Sequence, residues 1–368
     1  MLTILDRYIL RSLVVNYVIA LAVMISLYLV LDMLVNMDEF TEQGYPAVVV
    51  LKNIADYYWP NVFLVFAQLS GVITLFACAA AVARMRRLNE MTAMLASGVS
   101  LYRLAAPIVA FGIVTSGFLV INTEWLIPAL AHKLARDHDD ADGTRAYEVL
   151  FLRDRGGALL SAGRFHPKTR DLQRLLVLKR DESGAVVETI EADHATWDSP
   201  GVTDGDGRWR LERGRKRTRM RNPQTGLGPA DTLVDTYPIY YESGLSPTAI
   251  EMRQAEGWIR FLSLAQLAKL DISEPNNRLS ILRTRHARVA APILGMVLLL
   301  LGLPFFLDRR PGNILNDGTK CLIACGLCYV SAYVAQSIQS GSGSALPAWL
   351  PIFIFATAAM VLIDRIRT

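Results

Sequence analysis

The sequence predicts an α-helical membrane protein: six transmembrane helices, three before and three after an inserted periplasmic all-β domain. Three observations predict it. Long uncharged stretches flank a polar island, basic residues gather at alternate connections, and strand-like runs fill the island. Hydrophobic residues make up 52% of the chain and charged ones only 20%. Because the charges crowd into the island and the connections, the net charge of +4 reports topology rather than nucleic-acid binding.

The uncharged stretches run 12–31, 57–83, 104–123, 289–307, 321–340 and 347–363. An α-helix rises about 1.5 Å per residue, so about 20 residues cross the roughly 30 Å hydrocarbon core. No charge appears between Cys321 and Ile363, but Gly341-Ser342-Gly343-Ser344 and Pro347 supply a turn that splits this run into two helices. The last is the shortest. The first stretch is followed by Asp32 rather than a small-residue cleavage site, so it is kept as a helix and not as a signal peptide.

Arg7 and Arg11, then Arg84, Arg86, Arg87 and Arg103, then Arg309, Arg310 and Lys320, and finally Arg365 and Arg367 mark one side of the membrane. The positive-inside rule makes that side cytoplasmic. Both termini are expected inside and the island outside. The expected domains are 1–130 with helices one to three, 131–277 with the β domain, and 278–368 with helices four to six.

All four cysteines fall in hydrophobic stretches, so the exported island has no disulfide framework. Cys321, Cys325 and Cys328 share one helical face, where packing is favoured over metal binding. In the island, runs such as 175–178 and 189–192, separated by turn signals at 182–184 and 199–201, predict an antiparallel sandwich or jellyroll. The basic run 209–221, if extended, places Arg213, Arg215, Arg217, Arg219 and Arg221 on one face. That face is either a contact for anionic headgroups or a solvated guard on an edge strand, the second being favoured. Trp258, Phe261, Leu262, Leu264 and Leu267 predict an amphipathic helix near 257–270.

Catalytic signatures are missing. Gly312 to Lys320 comes nearest to a phosphate-binding loop but has the wrong spacing, and neither H-E-x-x-H nor G-x-S-x-G occurs. His132, His138 and Asp137, Asp139 and Asp140 fit a polar linker better than a metal site. The spans are nearly free of ionisable groups, so energy for any transport must come from outside them. The segment from Arg86 to Gly98 reads as a short helix, with Leu88, Met91, Thr92 and Leu95 along one side and Gly98 as its cap. Joining the second and third spans directly, it is either an interfacial anchor or an element that receives force.

Several motifs then coincide: Leu5-Asp6-Arg7-Tyr8-Ile9, the Glu90 to Gly98 segment ending Ala96-Ser97-Gly98, Trp209-x-Leu211 with Gly214, Leu301-Gly302-Leu303-Pro304, and Pro347-Ala348-Trp349-Leu350-Pro351. In order and spacing they resemble the LptF/LptG permeases of lipopolysaccharide export over the whole chain. The resemblance implies a non-catalytic subunit of an ATP-driven exporter in the inner membrane. It implies as partners a second such permease, a cytoplasmic ATPase dimer, periplasmic bridge proteins of similar jellyroll form, and lipopolysaccharide itself. No cofactor would be bound directly, ATP and Mg²⁺ being used by the ATPase. It further implies that 86–98 is the coupling helix, with Glu90 pairing a basic ATPase residue and Arg86, Arg87, Met91, Met94, Leu95 and Gly98 around it.

One departure concerns the lipid. Family members often carry basic residues at the outer end of the first span, where this chain has Asp32 and Asp38. Lipid phosphates would then be met by Lys133, Arg136, Arg283, Arg285 and Arg288, by the partner permease, or through a bridging divalent cation. The alternative to a transporter is a membrane-anchored periplasmic binding or assembly protein without a transport cycle.

Overall fold

The computed structural model describes residues 4–36, 46–134, 146–181, 184–198, 207–220, 232–254, 258–269, 275–307, 313–338 and 346–367. Its contacts divide the chain into two compact units, one of Met1–Met37, Tyr58–Leu130 and Ile259–Thr368, the other of Asp38–Tyr57 and Ala131–Trp258. The 3 + island + 3 plan is thus present, but the segment from Ile259 belongs with the helices. The boundary expected at residue 277 moves accordingly.

The helical elements are α1 (Ile4–Val35), α2 (Ala47–Arg87), α3 (Glu90–Ala96) and α4 (Leu101–Ile121) before the island. After the strands come α5 (Pro247–Gln254), α6 (Leu264–Lys269), α7 (Pro275–Phe306), α8 (Ile314–Ile338) and α9 (Leu346–Arg367). Among the described residues, five helices are long and apolar enough to cross a membrane, and the apolar part of α9, Ala348–Asp364, is shorter. The expected amphipathic helix near 257–270 is instead a 3₁₀ turn, Trp258–Phe261, followed by α6. The break falls at Ser263, whose hydroxyl accepts from Gln266 N (3.2 Å) while Gln266 Oε1 accepts from Ser263 N (2.9 Å). This reciprocal cap starts a new helix and so ends the preceding turn.

In the helical unit α7 is the hub, packing on α4, α8 and α9. Small residues permit the close approaches. A Cβ on Gly71 of α2 would lie 2.9 Å from the Gly295 Cα of α7. One on Gly302 would strike Leu75 and come within 3.1 Å of Cys321 Sγ. Since lipid tails are as apolar as Leu, helix association in a membrane depends on such tight packing rather than on the hydrophobic effect. Buried Cys321, Cys325 and Cys328 pack here, Cys325 Sγ donating to Leu298 O at 3.7 Å.

Among the described residues the island unit holds eight strands in one antiparallel sheet: β1 (Tyr147–Arg153), β2 (Leu159–His166), β3 (Asp171–Arg180), β4 (Val186–Asp198), β5 (Gly207–Glu212), β6 (Arg215–Met220), β7 (Thr232–Thr236) and β8 (Tyr240–Ser243). β1 to β4 form a meander. The sheet then forks, because β4 is 13 residues long and pairs β6 along Glu188–Glu191 and β5 along His194–Asp198. β8 extends the β5 branch and β7 the β6 branch. Alternate residues such as Leu160, Leu172, Val177, Ile190 and Trp209 are fully or nearly fully buried in a single core, as a period of two requires.

The basic run 209–221 is not one strand. Arg213 adopts a left-handed φ of 55° and Gly214 follows it, and a Cβ on Gly214 would sit 2.6 Å from Pro238 O, so only glycine lets the chain pass. Four of its charges are matched: Arg213 pairs with Asp193, Arg215 and Arg217 with Asp235, and Lys216 with Glu188. Arg221 lies outside the described residues, as do the turn residues 182–183 and 199–201.

Buried Asp154, between β1 and β2, closes the unit. Its carboxylate accepts from Tyr241 Oη (2.8 Å), Ser243 Oγ (2.5 Å), Gly244 N (2.7 Å) and Arg155 N (2.7 Å). Tyr241 is held in its neutral form, first by burial and then by the neighbouring Asp154 charge and hydrogen bond, both of which raise its pKa.

Candidate functional site

The connection from α2 to α4 is built from backbone rules. α2 runs through Arg87, and Leu88 N and Asn89 N bond back to Arg84 O and Arg86 O, each at 3.0 Å. Asn89 then takes a left-handed φ of 58°, a conformation asparagine tolerates better than most residues. This resets the chain direction, and α3 begins at Glu90. At its other end Gly98 N bonds to Leu95 O (3.0 Å) and Val99 N to Met94 O (3.1 Å), with Gly98 at φ 88°. That pair of bonds is the Schellman cap, and its left-handed position is why a glycine stands there. Ser100 caps the next helix by accepting from Arg103 N.

The short helix therefore spans 90–96 rather than 86–98, and Arg86 and Arg87 end α2. Its faces also differ from expectation. Met91 is buried, with Met94 and Leu95 packed beside it against the helical core, whereas Leu88 and Thr92 are exposed. Leu88 precedes the left-handed residue, so it does not share the helix's phase.

Polar contacts fix the element at both ends. Glu90 Oε2 accepts from Tyr8 Oη of α1 at 2.7 Å. Arg86 Nη1 lies 2.9 Å from Asp317 Oδ2 of α8, the two side chains being 8% and 17% exposed. Arg87 and Gly98 are exposed.

A second polar cluster lies where α4 gives way to a π-turn, Asn122–Leu126, in which Ile127 N bonds five residues back to Asn122 O. The extra residue changes the register and presents Glu124 to its neighbours. Glu124 Oε1 pairs with Arg288 Nη1 of α7 at 3.0 Å, and Oε2 accepts from Leu264 N at the start of α6 at 2.8 Å. Arg288 also donates to Thr123 O and to Arg260 O. Asn122 is buried, and its Nδ2 donates to Phe63 O at 2.8 Å. Such π-turns occur frequently at functional places in helices.

Of the residues expected to meet lipid phosphates, Arg288 is thus already engaged inside the helical unit. Arg283 and Arg285 are half-buried on α7, Lys133 is exposed in the other unit, and Arg136 lies outside the described residues. Asp32, the departure noted above, accepts from Tyr58 Oη at 2.8 Å, and Asp38 is outside the described residues. Tyr8, Asp317 and Glu124 join these clusters without any expectation from sequence. For Tyr8 alone there is a signal, its place in the Leu5–Ile9 motif.

Comparison with protein families gives a match to the lipopolysaccharide export system permease LptF/LptG, over residues 7–365. The chain belongs to the LptF/LptG family. Because the match covers nearly all of it, helices and island alike, this LptF/LptG protein is a lipopolysaccharide-transport permease of the inner membrane, multi-pass and built to function within a larger export complex. A search among individual curated proteins finds no match.

Proposed function

We propose that this LptF/LptG protein is one of two membrane subunits of an ATP-driven exporter that extracts lipopolysaccharide from the inner membrane and hands it to a periplasmic bridge. Its termini and α3 face the cytoplasm and its β unit faces the periplasm, the side assignment resting on the arginines around α3 and the positive-inside rule. It holds no nucleotide. ATP and Mg²⁺ are used by a cytoplasmic ATPase dimer, and a second LptF/LptG-type permease completes the membrane portion. Lys133, Arg136, Arg283 and Arg285 supply lipid-phosphate contacts, while Arg288 serves the internal network with Glu124.

One observation carries this reading. α3 is a short helix, set off by left-handed Asn89 and closed by the cap at Gly98, with Met91 driven into the core and Glu90 held at its start, joined without slack to two spanning helices. Such an element moves as a body with α2 and α4, which suits a docking surface for a motor. Glu90→Arg replaces attraction to a basic ATPase residue with repulsion, and loss of a partly desolvated pair costs about 2–5 kcal/mol. The expected outcome is loss of ATPase co-purification from a variant that still elutes as a folded membrane protein. Undiminished co-purification would overturn the assignment.

A further inference from the structure

Two polar ties lead away from α3 into other helices. Arg86, one turn before α3, is held by Asp317 in the first turn of α8, and the two residues are 231 positions apart, one in each half of the helical unit. A carboxylate is favoured at a helix start. The turn is secured by Asn313, whose Oδ1 accepts from Leu315 N and whose carbonyl accepts from Asp317 N, each at 3.1 Å. On the other side, Tyr8 joins Glu90 to α1 through a hydrogen bond at the surface.

Apolar contacts between membrane helices gain little from the hydrophobic effect, since lipid tails are as apolar as the side chains they would replace. A largely buried ion pair cannot be exchanged in this way, because no lipid tail can replace a charged partner and separating the two is costly. Asn89 N bonds back to Arg86 O and Asn89 O accepts from Ala93 N, each at 3.0 Å, so Asn89 links Arg86 to α3 through two backbone bonds and a displacement of α3 also displaces Arg86.

We infer that Arg86 and Asp317 are positioning residues of the transport cycle, which deliver the displacement of α3 to α8, with Tyr8 making the weaker corresponding tie to α1. The inference rests on α3 being the docking element for the ATPase.

The test uses the complete complex in proteoliposomes, with ATPase retention, ATP hydrolysis and lipopolysaccharide extracted per ATP measured together. Asp317→Asn and Asp317→Ala should retain the ATPase and its hydrolysis while lipid moved per ATP falls on the order of tenfold, the usual scale of coupling between sites. Exchanging the charges, Arg86→Asp with Asp317→Arg, should restore the ratio, and Arg86→Lys should largely preserve it. A normal ratio in the single variants overturns the inference, as does an equal loss of ATPase retention, which marks a purely structural role. Glu90→Arg in the same assay separates the two claims. If the ATPase stays bound to it, the docking assignment fails; if the ATPase is lost while Asp317→Asn transports normally, only the present inference fails.

Discussion

Replacing Asp154 by alanine should loosen the β unit at the place where its first hairpin meets β8. The carboxylate takes four donors, two of them the hydroxyls of Tyr241 and Ser243, which are 5% and 1% exposed. Each buried donor left without a partner costs about 1–3 kcal/mol. Two such hydroxyls, together with the lost bond to Gly244 N, place the penalty at about 3–5 kcal/mol. Hydrogen exchange on the full chain in detergent reads this locally, and every 1.4 kcal/mol is about tenfold. Protection of the β1–β2 and β8 amides should therefore drop by about a hundredfold or more. Asp154→Asn keeps one acceptor oxygen and should fall between. Asp198→Ala removes only an exposed pair with Arg208 and should cost less than about 1 kcal/mol. If Asp154→Ala changed protection by less than about tenfold, the carboxylate would not be the closure of this unit.

Gly71→Ala should lower thermal stability in detergent by about 1–3 kcal/mol, since its Cβ would lie 2.9 Å from backbone. Gly295→Ala, meeting Gly71 Cα only at 3.4 Å, should cost clearly less. Arg288→Ala strands Glu124 and should destabilise by about 3–5 kcal/mol. The double variant with Glu124→Ala should be milder than the sum, and lipid bound per folded molecule should be unchanged in a binding assay. For Glu188, burial alone would raise the pKa, but hydrogen bonds from Lys216 and Lys179 outweigh it and hold the value below that of a free carboxylate. The stabilisation is complete above the unfolded value of about 4.3 and is lost as pH falls through the lower folded one. Glu188→Gln should accordingly flatten the acid limb of an unfolding curve measured against pH.

The spans were legible because hardly any structure except a membrane helix accommodates a charge-free run of that length, and Gly341 to Pro347 was enough to divide the last two. The strands at 175–178 and 189–192 were legible as a short apolar run and an alternating one between turn signals, and lie within β3 and β4. Counting a helical period from Leu88 failed because Asn89 in the left-handed region resets the phase, and seven residues are too few to reveal it. Arg86 resembled an ordinary basic anchor because its partner is 231 residues away. Arg288 resembled a lipid contact because Glu124 reaches it only through the extra residue of the π-turn, a backbone event without a sequence signature.

The pairing of Arg86 with Asp317 also sets a schedule for synthesis. A ribosome adds about 5–20 residues per second, so the first partner waits roughly 10–50 s for the second. During that interval the early helices sit in the bilayer with Gly71 unpacked and a guanidinium without its carboxylate. The island stretch Ala131–Trp258 accounts for about half of that delay.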